Sequence, residues 1–589
     1  MFDLPELLDT ILSLLSTQDL ARCALVNKQW CDVATPHLWR TVSFLSGNRR
    51  KAFQRTVLED FLQTQDLSLD DSEQRQWPGQ GPIKGDINIE QRSSSRQPYL
   101  SKYAPWIRNL DNPQFIFYAL KHTMTMRHVQ EFLSHFLKQC VNVRTLTLDV
   151  VFPSEQFFCV CKIIANSLAP NLRELSLQGP RNGSCFGMSS KWYLYIISRC
   201  SSKLEKLTIY NDPLPGYSAD FVSDKLPIAE VKFLGLKELV LDHCWSKDEL
   251  SMWDWFWRGC CNVERLELRT WRVDLIHDLA DRIRLYLPKV NSIFVKHTML
   301  WKAIAPLLSA RAGGWRNIRM EATLDQMACG ALAKQCATLE VLEVKNILSV
   351  SSKTLQRILS SSPRLKALIT IDDKWRHRSR IPYIYANDFI DLDSLSNILN
   401  PWASEMSLKV LKAKITCIPR PDVSNVMAIG RRFDALTETY AGEGRDLQRR
   451  VLERLARFTS LEELCLGHDT RANIYPESLY DGGASEDYQY DCLEMTLESG
   501  LDQLKDLKNL RVLDVQRMEQ RIGLKEAQWM TLHWPRLREI RGLCDDDDNL
   551  EAIGWLWRHC PRIKVEISSR SFYCATILDD ILKKQVYNR

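Results

Sequence analysis

The sequence predicts an α/β protein: a solenoid with a curved parallel sheet and outer helices, preceded by a small three-helix module. Three observations predict it. An apolar pattern, L-x-x-L-x-L with other apolar residues allowed, returns from residue 143 to residue 567. Its copies stand mostly 24 to 32 residues apart, room for one strand and one helix each. Residues 4–42 carry a separate set of helix starts, stops and apolar faces. With 589 residues, 45% hydrophobic and 26% charged, the composition is that of a soluble globular protein. A formal charge of +5 is small for this length and does not imply nucleic acid. No run of about 18 apolar residues indicates a membrane span. The N-terminus lacks the basic stretch and cleavage site of a secretory leader, so cytoplasm, nucleus or both are the expected compartments.

In the N-terminal stretch, Pro5 suits a first helical turn, where its missing N–H costs nothing, and Leu7, Leu8, Ile11, Leu12 and Leu15 follow at helical spacing. Ser16-x-x-Asp19 has the layout of a capping box and opens a second helix with Leu20, Cys23 and Ala24 on one face. Asn27 caps a third helix whose buried side is Trp30, Val33 and Ala34, and the Thr35–Pro36 step is expected to end it. Three helices of this size enclose little core and leave apolar surface for a partner. With Leu4, Pro5, Ile11, Leu12, Leu15, Asp19, Leu20, Leu25, Val26, Lys28, Trp30, Leu38 and Trp39 in this order, residues 1–45 resemble an F-box. The resemblance implies adaptor binding, with Leu4, Pro5, Leu15, Leu20, Val26 and Trp30 making the contact or holding the helices that make it.

Residues 46–100 are rich in Gln, Ser, Asp, Gly and Pro, too poor in apolar side chains to offset the entropy of ordering, and read as a flexible polar insert. The repeats occupy residues 101–589. WRTVSF from Trp39 supplies a joining strand, and IRNL at 107 is a degenerate first copy. Within a copy, residues such as Leu175 and Leu177 alternate inward on the strand, while Leu172 plugs the layer from the preceding turn. No copy buries this face alone, so stacking builds the core. Wider spacings of 43, 53 and 49 residues place insertions near 371–400, 416–455 and 467–500. Cys140, Cys260, Cys336 and Cys560 each precede an apolar first position by three residues and read as small buried hydrophobes. The array resembles leucine-rich-repeat proteins of the cysteine-containing class often found behind F-boxes.

The motifs H-E-x-x-H, G-x-S-x-G, G-x-x-x-x-G-K-[ST] and G-x-G-x-x-G are missing, and the 18 cysteines form no CxxC pair. No catalytic residue, metal or cofactor is expected. Asp545 to Asp548 read as a solvated acidic turn. Residues that alternate with the inward pair face the concave groove. Arg265, Arg269, Arg319, Lys345, Lys412 and Lys414 are therefore candidate substrate contacts, in a stripe that also holds Glu267, Lys296, Glu321, Glu343, Asp514 and Gln516. A merely solvated face would look the same. Trp375 lies among Arg and Tyr residues in the insertion near 371–400, a composition that fits either an interface loop or a partly packed surface loop.

Together the two resemblances imply the substrate-recognition subunit of an SCF-type cullin–RING ubiquitin ligase. The F-box docks a Skp adaptor and, through it, cullin and RING subunits, while the repeats bind a protein substrate for ubiquitination and proteasomal degradation. Neither nucleic acid nor membrane is an expected partner. Two rival readings stay open: an adaptor-bound regulator outside degradation, and a plain leucine-rich-repeat scaffold or inhibitor acting outside ubiquitin ligation.

Overall fold

The computed structural model describes residues 5–44, 102–116, 125–149, 155–178, 190–200, 202–210, 232–242, 254–269, 273–296, 304–321, 324–344, 350–371, 383–393, 395–418, 438–467, 492–516, 518, 520–544 and 547–568. The polar insert expected at 46–100 lies outside them. The chain divides into two compact units, Met1–Glu267 with Leu285–Val290, and Leu268–Arg284 with Asn291–Arg589.

The first unit opens with three helices, α1 (Pro5–Ser13), α2 (Thr17–Ala24) and α3 (Lys28–Trp39). A parallel sheet follows: β1 (Thr41–Ser43), β2 (Asn109–Asp111), β3 (Thr145–Asp149), β4 (Glu174–Gln178), β5 (Lys206–Tyr210) and β6 (Glu238–Asp242), each paired with the next. The strand β7 (Arg265–Leu268) joins through the amide of Arg265, which donates to the Lys237 carbonyl. Helices α4 (Met126–Gln139), α5 (Glu155–Leu168), α6 (Ser190–Cys200) and α7 (Asp254–Gly259) lie between strands.

The second unit repeats the alternation with α8 (Ile276–Tyr286), β8 (Ser292–Val295), α9 (Ala305–Ser309), β9 (Asn317–Met320), α10 (Gln326–Ala333), β10 (Val341–Val344), α11 (Ser352–Ser361) and β11 (Ala367–Ile369). The insertion near 371–400 contains β12 (Tyr383–Tyr385) and α12 (Ala386–Ile390). The strand β12 leaves the main sheet and pairs in parallel with β14 (Lys414–Thr416). The main sheet continues through β13 (Val410–Lys412), β15 (Glu463–Cys465), β16 (Val512–Asp514), β17 (Glu539–Cys544) and β18 (Lys564–Ser568). Helices α13 (Glu438–Ala456), α14 (Leu524–His533) and α15 (Asp547–His559) complete it.

The apolar triplets explain these strands. Leu172, Leu175 and Leu177 are buried, as are Leu339, Leu342 and Val344, and each strand starts two residues after the first of its triplet. The copy at 537 departs. Its third position is Gly542, at φ +90, where the pairing of β17 with β18 shifts register, so Leu543 takes the inward place. Such a bulge needs glycine, and a Cβ there would collide with the Gln516 backbone. Cys140, Cys260 and Cys336 are buried, whereas Cys560 is half-buried. Burial pushes the thiols of Cys140 and Cys260 far above the ordinary range, and that of Cys200 to about 12.

A further device links the rungs. The residue just before the first apolar position donates a side-chain hydrogen bond to a carbonyl of the preceding rung. In the first unit Asn171 reaches Val141 at 2.8 Å and Asn262 reaches Leu234 at 3.0 Å. In the second, Thr338 reaches Trp315, Ser407 reaches Leu365 and Ser460 reaches Met406, at 2.8 to 2.9 Å. Each such bond contributes on the order of 1 kcal/mol and fixes the stacking of neighbouring copies.

One expectation is corrected here. The third helix does not end at Pro36 but runs through it to Trp39. Proline removes one intrahelical bond. Leu38 packs on the helical core, and Trp39 stacks on Tyr103 with centroids 5.0 Å apart, contacts that offset the loss.

Candidate functional site

Local chemistry sets the three helices. The Ser16 hydroxyl accepts the Asp19 amide at 3.2 Å and donates to its carboxylate at 2.6 Å. The carboxylate thus meets the hydroxyl of Ser16, where a full capping box would have it meet the amide. Asn27 accepts the Trp30 amide at 2.9 Å and starts α3. The core is Leu8, Leu12, Leu20 and Ala34, with Leu15, Cys23, Ala24, Trp30, Val33 and Leu38 packed around it. His37, almost enclosed, meets the Asp9 carboxylate at 2.7 Å and ties α3 to α1.

Four large apolar side chains do not join that core. Ile11 is 38% exposed, Leu14 81%, Leu25 86% and Val26 64%. Leu25 and Val26 form the turn between α2 and α3, held by amides that donate to Arg22 and Cys23 carbonyls at 3.0 and 3.1 Å. Leu14 sits in the turn after α1, its amide on the Ile11 carbonyl at 3.1 Å. Fixed backbone thus presents apolar side chains to solvent at both interhelical turns, the arrangement expected of a protein-docking element.

Residues 3–45 match the family model described as F-box-like. No curated protein matches the chain.

Within the F-box-like module the six residues singled out from the sequence occupy different places. Leu4 lies outside the described residues, and Pro5 heads α1. Leu20 is buried and acts through the core, Leu15 and Trp30 are half-buried against it, and Val26 is presented to solvent. Sequence reasoning passed over Leu14 and did not single out Leu25 as a contact. Both fall off the stripes that bury Leu8, Leu12 and Leu20, and an apolar residue off its stripe was the signal available.

The candidate substrate residues are similarly divided. In the first unit, Arg265 on β7 is exposed and lies 3.7 Å from Glu238, which also pairs with Lys206 at 2.7 Å. In the second unit, Arg269 is half-buried. Arg319 meets Glu343 at 3.0 Å and lies over the Phe294 ring at 4.7 Å. Lys412 is bound to Glu463 at 2.7 Å with its side chain only 14% exposed. Lys414 belongs to the separate two-stranded sheet, opposite Tyr383. Lys345 and Trp375 lie outside the described residues, as do 545 and 546 of the acidic turn. Asp514 and Gln516, read as groove-facing, are buried, because Arg541 of β17 lies over Asp514 and the backbones of Gly467 and Gly542 approach that of Gln516 closely. The charge seen in the sequence is therefore largely paired between neighbouring strands.

Among the described residues no group of His, Cys, Asp and Glu has the arrangement of a metal site, and no helix is long and apolar enough to cross a membrane. Phe256 and Trp257 of α7 are both fully buried in the core.

Proposed function

We propose that this chain is the substrate-recognition subunit of an SCF-type cullin–RING ubiquitin ligase. The observation that carries the reading is the F-box-like module, whose Leu14, Leu25 and Val26 stand in solvent on hydrogen-bonded turns. F-box domains generally bind Skp-type adaptors. An adaptor seated on the module would bring cullin and RING subunits, and the strand–helix array, read as leucine-rich repeats, would hold the protein substrate. The chain then acts without catalytic residues of its own. Its contribution is effective concentration, which turns the encounter of a substrate lysine with the charged ubiquitin-conjugating enzyme into a quasi-intramolecular event. Cytoplasm or nucleus is the compartment this role requires.

Affinity purification of the full chain beside a version lacking residues 1–45 tests the reading. The expected result is loss of adaptor and cullin from the truncated chain, with other partners retained and accumulating when the proteasome is blocked. A full chain that recovers no cullin overturns it.

A further inference from the structure

An arginine stands immediately before each of the first four strands. Register pairs Thr41 with Asn109, Asn109 with Thr145 and Thr145 with Glu174, so the preceding residues Arg40, Arg108, Arg144 and Arg173 lie side by side. Backbone bonds confirm the alignment: the Arg108 amide donates to the Arg40 carbonyl at 2.9 Å, Arg144 to Arg108 at 2.7 Å, and Arg173 to Arg144 at 2.8 Å. At about 4.8 Å per strand the row spans roughly 14 Å. Arg40, Arg144 and Arg173 are exposed and Arg108 is half-exposed. Among the described residues only Arg173 of the four has a carboxylate partner, Glu205 of the next strand. Beyond it Lys203 and Lys237 line a shallow depression of about 350 Å³ with Arg173, Glu205 and Gly235.

Farther along the array the same rung position holds no more than two cations in succession, Lys366 beside Lys409 and Arg511 beside Arg538, and glutamates interrupt the series. Glu340 stands between Arg316 and Lys366, and Glu462 between Lys409 and Arg511. The arginine row sets four cations side by side with no carboxylate among them, which leaves unneutralised charge at the surface. At its first end lies a half-exposed aromatic group, Trp39 stacked on Tyr103, with Trp106 edge-on to Tyr103 at 5.2 Å. Arginine, tryptophan and tyrosine are the residues that most often anchor protein contacts.

We propose that this row is a docking edge for an acidic, extended segment of a partner protein. The charge is one side chain wide, and the next position along these four strands carries Thr41, Asn109, Thr145 and Glu174. A linear run of carboxylates fits such a row, whereas a broad polyanionic surface would meet neutral side chains and Glu174 beside it. An extended chain of about four or five residues covers 14 Å.

The test is fluorescence anisotropy with the full chain and labelled deca-glutamate, with deca-thymidylate as the nucleic-acid probe. Arg108→Gln/Arg144→Gln should weaken deca-glutamate binding at least fivefold at 0.1 M salt with a melting temperature that does not fall. Arg258→Gln/Arg284→Gln, the same charge change at other exposed arginines, should leave it unaltered, and Lys203→Gln/Lys237→Gln should weaken it less. Equal loss in the Arg258/Arg284 variant, or no loss in the Arg108/Arg144 variant, overturns the proposal. Tighter binding of deca-thymidylate, abolished by Arg108→Gln/Arg144→Gln, also overturns it and assigns the row to nucleic acid.

Discussion

Truncating Leu25 separates docking from folding. Its side chain is 86% exposed, so Leu25→Ala removes little buried surface, and its effect on stability is expected within about 0.5 kcal/mol. Full burial of a leucine against a partner is worth about 1.5–3 kcal/mol. Since 86% of it remains to be covered, the loss on binding is about 1.3–2.6 kcal/mol, roughly ten- to seventyfold in affinity. Leu12 supplies the contrast. It is fully buried, and Leu12→Ala should cost about 2–5 kcal/mol of stability in the module. Calorimetric titration of purified Skp-type adaptor into each full-length variant, beside thermal melts, reads both quantities. If Leu25→Ala and Val26→Ala both bind as the unmodified chain does, the exposed turn is not the docking surface. If Leu25→Ala lowers stability as far as Leu12→Ala, the exposure argument fails.

Four other outcomes follow from the second unit. Arg454, with no exposed side-chain surface, donates to Glu405 at 2.8 Å and to the Asn400 and Ile390 carbonyls, and lies 4.3 Å over the Trp402 ring. Arg454→Ala strands those acceptors and should cost about 3–5 kcal/mol in urea unfolding, part of it recovered by adding Glu405→Gln. Gly542→Ala places a Cβ against the Gln516 backbone at φ +90 and should cost about 1–3 kcal/mol or more. Gly330→Ala in α10, where a Cβ meets nothing, should instead gain up to about 1 kcal/mol. Acid should weaken the array. The hydrogen bond from Lys366 holds the Glu340 carboxyl below its ordinary value, and that from Lys409 does the same for Glu462. A depressed carboxylate pKa adds stability above the unfolded value near ~4.3 and loses it as pH falls through the folded value. Melting temperatures should therefore drop below about pH 4.3, and less steeply in Glu340→Gln/Glu462→Gln.

The strands were legible because burial leaves three positions per copy no freedom. Leu146, Leu175, Leu207 and Leu239 occupy the same inward place in adjacent strands, and a one-residue slip would turn each to solvent. The bulge at Gly542 was hidden because it depends on the approach of Gln516, a contact between copies. The path of α3 through Pro36 was hidden for a related reason: Tyr103, on which Trp39 stacks, lies 64 residues away in sequence. In the F-box-like module helical periodicity reveals which residues are buried, as with Leu20 and Ala34. The exposed residues are set by the turns, and a period says nothing about a turn. Charge was the least legible property. Alternation within a strand marks which residues face away from the core, but whether Lys412 is free depends on Glu463, 51 residues on and one strand over.

That dependence gives the arginine row an independent check. Neighbouring like charges raise the energy of the folded state, and farther along the array a glutamate stands between two cations, as at Glu340. Arg144→Glu would copy that pattern between Arg108 and Arg173. Two exposed attractive pairs replace two repulsive ones, each pair worth about 0.2–1 kcal/mol, so the melting temperature of the full chain should rise at low salt and the gain should shrink at high salt. Binding of deca-glutamate should fall further than in the Arg108→Gln/Arg144→Gln variant. A substitution that stabilises the fold while removing an interaction indicates that the arginine is kept for the interaction. If Arg144→Glu lowers the melting temperature, the row is held by contacts of its own and the absence of an acidic rung there reflects packing.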